Sequence, residues 1–221
     1  MKKIGAITVG QAPRTDLIPE MEPILGKSIE IIQMGGLDGL TKEEIAAFRP
    51  LPGDHVLVSR LADKTSVAFG ESHVLPRLQT CIHELEKKEV SLILFLCTGE
   101  FPGNFKSHVP LIFPNKLLSG LIPAVGSRFL TVLTPAREQM DQGIKKWSPH
   151  AGQVHMIAVS PYDGPDEVLK AARAIPEETD LILLDCIGYT VEMKERIQAL
   201  TGKPVILPRT LTARMICELV C

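Results

Sequence analysis

A chain of 221 residues can hold one large domain or two small ones and bury a substantial core. Its net charge of −2 offers no bulk attraction for nucleic acid or anionic lipid, and aromatics at 5% leave little for base stacking. There is no run of about 18 or more apolar residues, so neither a membrane span nor a membrane partner is expected. The opening residues 1–13 lack the length of a signal-peptide core and read as a first strand, so a cytoplasmic protein is expected.

Strand and helix patterns alternate along the chain. Residues 3–9 predict a strand, residues 10–14 a loop, and residues 15–25 a helix kept short by Pro19 and Pro23. A second strand is expected at 28–34 and a glycine-rich turn at 35–39. The next helix opens at Thr41, which forms a capping box with Glu44. Residues 55–61 and 65–69 suit a hairpin turning at 62–64, and a helix over 73–88 leads into a strand at 91–97. The second half repeats the scheme. Strands are expected at 128–133, 153–159, 180–186 and 204–207, with helices after Pro135 and over 165–174, 190–200 and 208–220. Such βα units imply largely parallel sheets with right-handed crossovers. The expected fold is α/β, with two pseudo-symmetric lobes, each a mostly parallel sheet flanked by helices, and a ligand cleft between them. The first lobe is drawn at 1–108 plus 205–221, the second at 109–204.

Two segments look like prints of one template. SLILFLCTGEF at 91–101 and DLILLDCIGYT at 180–190 align without gaps and share Leu92/Leu181, Ile93/Ile182, Leu94/Leu183, Cys97/Cys186 and Gly99/Gly188. Each apolar run delivers a cysteine to a strand's carboxyl end, where ligand chemistry collects in open α/β sheets. Two thiols facing one ligand from opposite sides could take a proton from one face of a carbon and return it to the other. A small apolar residue at a buried strand end explains a single cysteine equally well; the matched pair favours chemistry. Nearby donors and a helix N-terminus are expected to depress the thiol pKa values. Glycine two positions on, Gly99 or Gly188, lets backbone N–H groups turn toward an anion.

Five cysteines and no C-x-x-C pair argue for reduced thiols. No metal site is expected, and the six histidines show no ligand spacing. Cys81 is expected inside a helix, and Cys217 with Cys221 on the closing helix. No dinucleotide fingerprint is present, and no cofactor is expected.

The loop after the first strand carries Gly10, Gln11 and Arg14. Gln11 and Arg14 are candidate carboxylate binders, Arg14 the better through its bidentate fork; a surface arginine near a helix start is the alternative. Thr134 could donate its hydroxyl to the same anion or cap the helix beginning at Pro135. Thr98 follows the first cysteine. Tyr189 and Thr190 could close over the ligand, although Thr190 also suits a helix N-cap. Alternation points Asp185 away from Cys186, as a buried structural aspartate. Glu100 is read as a solvated loop residue, with general acid/base the second option. Arg60, Asp63 and Lys64 read as an exposed hairpin rather than a binding loop.

On ITVGQAPR at 7–14, RLADKTSVAFGE at 60–71, LLDCIGYT at 183–190 and LTARMICELV at 211–220, the chain resembles the AroM family, within the aspartate/glutamate racemase superfamily. That resemblance runs essentially end to end. It implies a cofactor-independent fold of two lobes whose paired cysteines move a proton next to a carboxylate. It also implies decarboxylase and cis–trans isomerase relatives, and a homodimer. Amino-acid racemases follow the first cysteine with Asn-Thr and the second with Thr-His or Thr-Glu. Here Thr98-Gly99-Glu100 and Ile187-Gly188-Tyr189 stand instead, so glutamate and aspartate do not carry over as substrates. The expected activity is racemisation or epimerisation at the α-carbon of a small carboxylic acid. A decarboxylase or a non-catalytic carboxylate-binding protein on the same frame are the alternatives.

Overall fold

The computed structural model describes residues 1–101 and 104–220. The first half holds β1 (Lys2–Thr8), α1 (Ile18–Leu25), β2 (Ile29–Gly35), α2 (Lys42–Ala46), β3 (Val56–Arg60), β4 (Ser66–Gly70), α3 (Leu75–Glu86), β5 (Ile93–Phe95), β6 (Leu111–Ile112) and α4 (Pro114–Val125). The second holds β7 (Phe129–Thr134), α5 (Met140–Trp147), β8 (Gln153–Ala158), α6 (Pro165–Ala172), β9 (Leu181–Leu184), α7 (Val191–Thr201), β10 (Val205–Ile206) and α8 (Pro208–Val220). Among the described residues no helix is long and apolar enough to cross a membrane.

Two parallel sheets result, in the orders β2-β1-β5-β6 and β8-β7-β9-β10. Read in that direction the two orders correspond strand for strand, so the sequence repeat is a repeat of topology. Each cysteine strand lies beside the central strand of its own sheet: Gly5 to Ile7 pair with Ile93 to Phe95, and Leu130 to Leu133 with Leu181 to Leu184. All residues of β5 and β9 are buried, as strands covered on both faces require. The expected α/β fold of two lobes flanked by helices is the fold observed.

Helices cover each sheet on both sides. In the first lobe α3 and the β3–β4 hairpin pack on one face, α1 and α8 on the other. In the second lobe α6 and α7 cover one face, α4 and α5 the other. Local chemistry sets the ends of these helices. Thr41 and Glu44 form the expected capping box, the Thr190 hydroxyl accepts from the Met193 N–H, and Gly126 and Gly202 close α4 and α7 in the left-handed conformation.

Three departures stand out. Strand β6 and helix α4 occupy a proline-rich stretch in which no element was expected. Helix α5 starts at Met140 rather than at Pro135, because the Gln139 side chain accepts from the Ala136 N–H and holds a separate turn ahead of it. By strand membership the lobe crossings also shift: β6 extends the first sheet beyond residue 108, and Val205–Ile206 stays in the second. The chain returns to the first lobe only with α8, whose Ala213, Ile216 and Val220 pack with Leu17, Ile18 and Met21. Cys221 lies outside the described residues.

Candidate active site

The carboxyl ends of β1, β5, β7 and β9 converge on one cavity of about 50 Å³. Cys97 and Cys186 both line it, one from each lobe. The structure gives them matching surroundings: the Gly99 N–H donates to Cys97 Sγ and the Gly188 N–H to Cys186 Sγ, each at 3.3 Å. The identical spacing in the two repeats produces identical local geometry.

The thiols rest protonated, against expectation. Burial pushes Cys97 up to about 11, outweighing the Gly99 N–H and the charges of Lys146 and Arg14. Burial likewise pushes Cys186 up to about 12 against the Gly188 N–H, with the neighbouring Cys97 adding to the rise. The helix N-terminus expected to depress them is missing: α7 opens at Val191, and after Cys97 the next α-helix among the described residues is α4.

Arg14 lines the cavity and is buried, but its bidentate fork is already occupied. Nε and Nη2 donate to the two Asp16 oxygens at 2.8 Å each. Burial opposes the guanidinium's charge, and Asp16 with Tyr162 more than compensates, so its pKa rises while that of Asp16 falls. Nη1 makes only the longer contacts, 3.2 Å to Thr8 Oγ1 and 3.5 Å to Ser59 Oγ, and is the edge left to meet a ligand. Asp16 thus holds the fork that a bidentate carboxylate clamp by Arg14 would need.

Thr98, Gly99 and Thr134 also line the cavity. Thr134 does not cap α5; its hydroxyl lies 3.3 Å from Gln139 Oε1. Glu100 reaches the cavity rim and is exposed. Gly10, Gln11, Gly188, Tyr189 and Thr190 are not among the residues lining this cavity. Gly10 packs against β3, where a Cβ would stand 2.6 Å from the Arg60 carbonyl. Gln11 ties the loop to Leu37, Leu40 and Ala62, beside a second, outer cavity bounded by Arg14, Asp16 and Arg60. Tyr189 does not close over the cavity: it is fully buried and its hydroxyl donates to the Val159 carbonyl at 2.6 Å. Thr190 is the N-cap of α7. Gly188 contributes its N–H and leaves room for Tyr162.

Several wall residues escaped sequence reasoning. Val56, Leu57 and Val58 roof the cavity from the hairpin, whose Val56 is held by Gln139 and Gln142 of the other lobe. Tyr162 follows β8, keeps its phenol un-ionised because burial raises its pKa, and accepts from Arg14 Nη2 at 3.3 Å. Its position past a strand end was the available signal. Lys146, on α5, had none. Asp185 shares the cavity with Cys186, contrary to strand alternation, because β9 ends at Leu184. It is buried and hydrogen-bonded, as expected, by Lys146 Nζ at 3.1 Å to each oxygen and by Trp147 Nε1 at 2.7 Å. Among the described residues no group of three or more His, Cys, Asp or Glu side chains gathers to hold a metal.

Solved structures with this two-lobe arrangement include allantoin racemase from Klebsiella pneumoniae. It is 16% identical, covers 100% of this chain and 88% of its own, and has a TM-score of 0.63. Aspartate racemase from Picrophilus torridus is 14% identical over 99% and 95%, with a TM-score of 0.61. Maleate cis-trans isomerase from Nocardia farcinica is 15% identical over 99% and 92%, with a TM-score of 0.66. At such identities the likeness is one of fold alone. No curated protein sequence matches the chain. Residues 4–220 match the family described as AroM protein, and the chain belongs to that family.

Proposed function

We propose that the protein is a cofactor-independent isomerase, of the racemase or epimerase type, acting at the α-carbon of a small carboxylic acid. The observation that carries this reading is the placement of Cys97 and Cys186 in one cavity, from opposite lobes, each with a main-chain donor on its sulfur. One cysteine, as thiolate, takes the α-proton; the C–H bonding pair moves into an enediolate on the carboxylate. The other thiol gives its proton to the opposite face and is left as thiolate. Arg14 Nη1 and the Thr134 hydroxyl stand at the cavity wall where the carboxylate charge would grow. A cytoplasmic homodimer is part of this proposal, on the family resemblance and the reduced thiols.

Decarboxylation is the second reading, favoured by both thiols resting protonated beneath the apolar roof of Val56, Leu57 and Val58. A carboxylate leaving as CO₂ needs only one thiol to protonate the carbanion, and an apolar wall to desolvate it.

The test is ¹H NMR in D₂O with a panel of amino acids, 2-hydroxy acids and substituted malonates. Loss of the α-proton signal that disappears in both Cys97→Ser and Cys186→Ser is the expected result. CO₂ release from a malonate that survives one of the two substitutions would select decarboxylation. No exchange and no release, with a panel acid raising the melting temperature, would leave a carboxylate-binding protein.

A further inference from the structure

We propose that the outer cavity beside the loop after β1 is a second binding site, for a small organic carboxylate, held by Arg60 and Lys64. The site stands apart from the two-thiol reaction and does not depend on it.

The turn of the β3–β4 hairpin forms one wall of this cavity, and the loop after β1 forms the other. Gln11 joins the two walls. Its Oε1 accepts from the Ala62 N–H at 2.8 Å, and its Nε2 donates to the Leu37 and Leu40 carbonyls. The enclosed volume is about 200 Å³, against about 50 Å³ for the thiol cavity, and Arg14 lines both.

The ionic groups of the outer cavity are Arg14, Asp16, Arg60 and Lys64. Arg14 and Asp16 cancel, since each Asp16 oxygen accepts from Arg14 at 2.8 Å. The acid within the turn, Asp63, is engaged by Lys42 and by the Thr65 hydroxyl, which donates to it at 2.6 Å. Two cations are left without a matching acid. Arg60 donates its Nε to the Lys64 carbonyl at 3.0 Å, and Asp16 stands 3.9 Å from its Nη1. Among the described residues neither Nη of Arg60 makes a hydrogen bond, and the Lys64 ammonium has no partner.

The Arg60 guanidinium is nevertheless held in place. It lies 5.3 Å from the centroid of the Tyr162 ring, and its side chain is 27% exposed. A planar fork already oriented on an aromatic face loses little freedom when a carboxylate meets it. Pro13, Leu61 and Ala62 make the apolar part of the wall. Two open cations beside apolar carbon suit an oxyanion with a hydrocarbon body, a carboxylic acid rather than inorganic phosphate.

The test is NMR of the arginine Nε–H groups in ¹⁵N-labelled full-length protein, titrated with butyrate. Arg60→Gln identifies the Arg60 signal by its loss. The expected result is a saturable shift of that signal. Lys64 is exposed, so Lys64→Gln leaves the fold intact; it is expected to weaken the binding read at Arg60 at least about threefold, the scale of one charge acting through water. Inorganic phosphate at equal ionic strength is expected to bind at least about threefold more weakly than butyrate, having no apolar body to bury. A shift that never saturates, or affinity unchanged in Lys64→Gln, overturns the site. So does a shift confined to Arg14, which would put butyrate in the thiol cavity only. Phosphate binding as tightly as butyrate overturns the carboxylic-acid assignment. A saturable Arg60 shift without α-proton exchange would remove the two-thiol reaction and leave this site. Exchange without the shift would remove only this site.

Discussion

Replacing Arg209 by methionine should weaken the fold measurably. Arg209 opens α8 and is fully buried. Its guanidinium makes four hydrogen bonds: Nε donates to the Ile187 carbonyl at 3.0 Å, Nη2 to that of Gly188 at 2.8 Å, and Nη1 to Glu20 at 2.7 Å and the Asp16 carbonyl at 3.2 Å. Burial pulls its pKa down, partly offset by Glu20. Methionine keeps the apolar stem and deletes every donor. Glu20 is 31% exposed and can turn to water, so its share of the loss is screened. The Ile187 and Gly188 carbonyls cannot turn, and each buried acceptor left unpaired costs about 1–2 kcal/mol. A total of about 2–4 kcal/mol follows, out of about 5–15 for a whole domain, which lowers Tm by roughly 4–16 °C in a chain of this size. Urea unfolding followed by circular dichroism measures it, provided the slope m matches wild type. A loss under about 1 kcal/mol would mean that these carbonyls are satisfied otherwise, and the argument for a clamp would fail.

The buried thiols make stability fall in alkali. Cys81 and Cys97 are raised to about 11 and Cys186 to about 12, from an ordinary 9.0, by burial in each case. The unfolded chain therefore loses these protons first, so their contribution is intact below about pH 9 and lost as pH climbs through 11 to 12. The urea midpoint should drop across that window, and drop less in a Cys97→Ala, Cys186→Ala double variant; a flat profile would contradict the assigned burial. In Gly188→Ala the new Cβ would stand 2.8 Å from the Tyr162 hydroxyl and 3.0 Å from Pro161 Cγ, so the Tyr162 ring must move off Arg14. The expected result is a stable protein, within about 2 kcal/mol of wild type, whose α-proton exchange falls at least about tenfold; unchanged exchange would show that Tyr162 is not part of the working wall.

The sheets were legible because strands buried on both faces leave uninterrupted apolar runs, and the two cysteines because those runs repeat with the same residue at the same end. Strand β6 and helix α4 were not, for a physical reason. Pro110, Pro114 and Pro123 read as breaks, whereas Pro114 stands at the first turn of α4, where its missing N–H matters least, and Pro123 falls in its last turn. The polar wall divides in the same way. Thr98, Gly99, Thr134 and Arg14 follow strand ends and could be found by position. The pairing of Arg14 with Asp16, two residues on, was local enough to notice. Lys146, Gln139, Gln142 and the hairpin residues reach the cavity only because the lobes pack together, and nothing in their own neighbourhoods announces it. Tyr189 misled because a tyrosine beside a cysteine suggests a ligand contact, while its hydroxyl is used up on the Val159 carbonyl.

The sulfur atoms take their donors from the main chain, and a donor of that kind is inherited differently from a side chain. Exchange of Thr98 or Ile187 for almost any other residue leaves the Gly99 and Gly188 N–H groups where they are. Only proline at position 99 or 188 would delete the donor outright, while larger side chains would collide with Leu57 or Tyr162. The main-chain hold on the two sulfurs and the side chains that shape the cavity are thus separable in descent. Drift in the residues between cysteine and glycine can remodel what enters the cavity while both thiols keep their fixed partners.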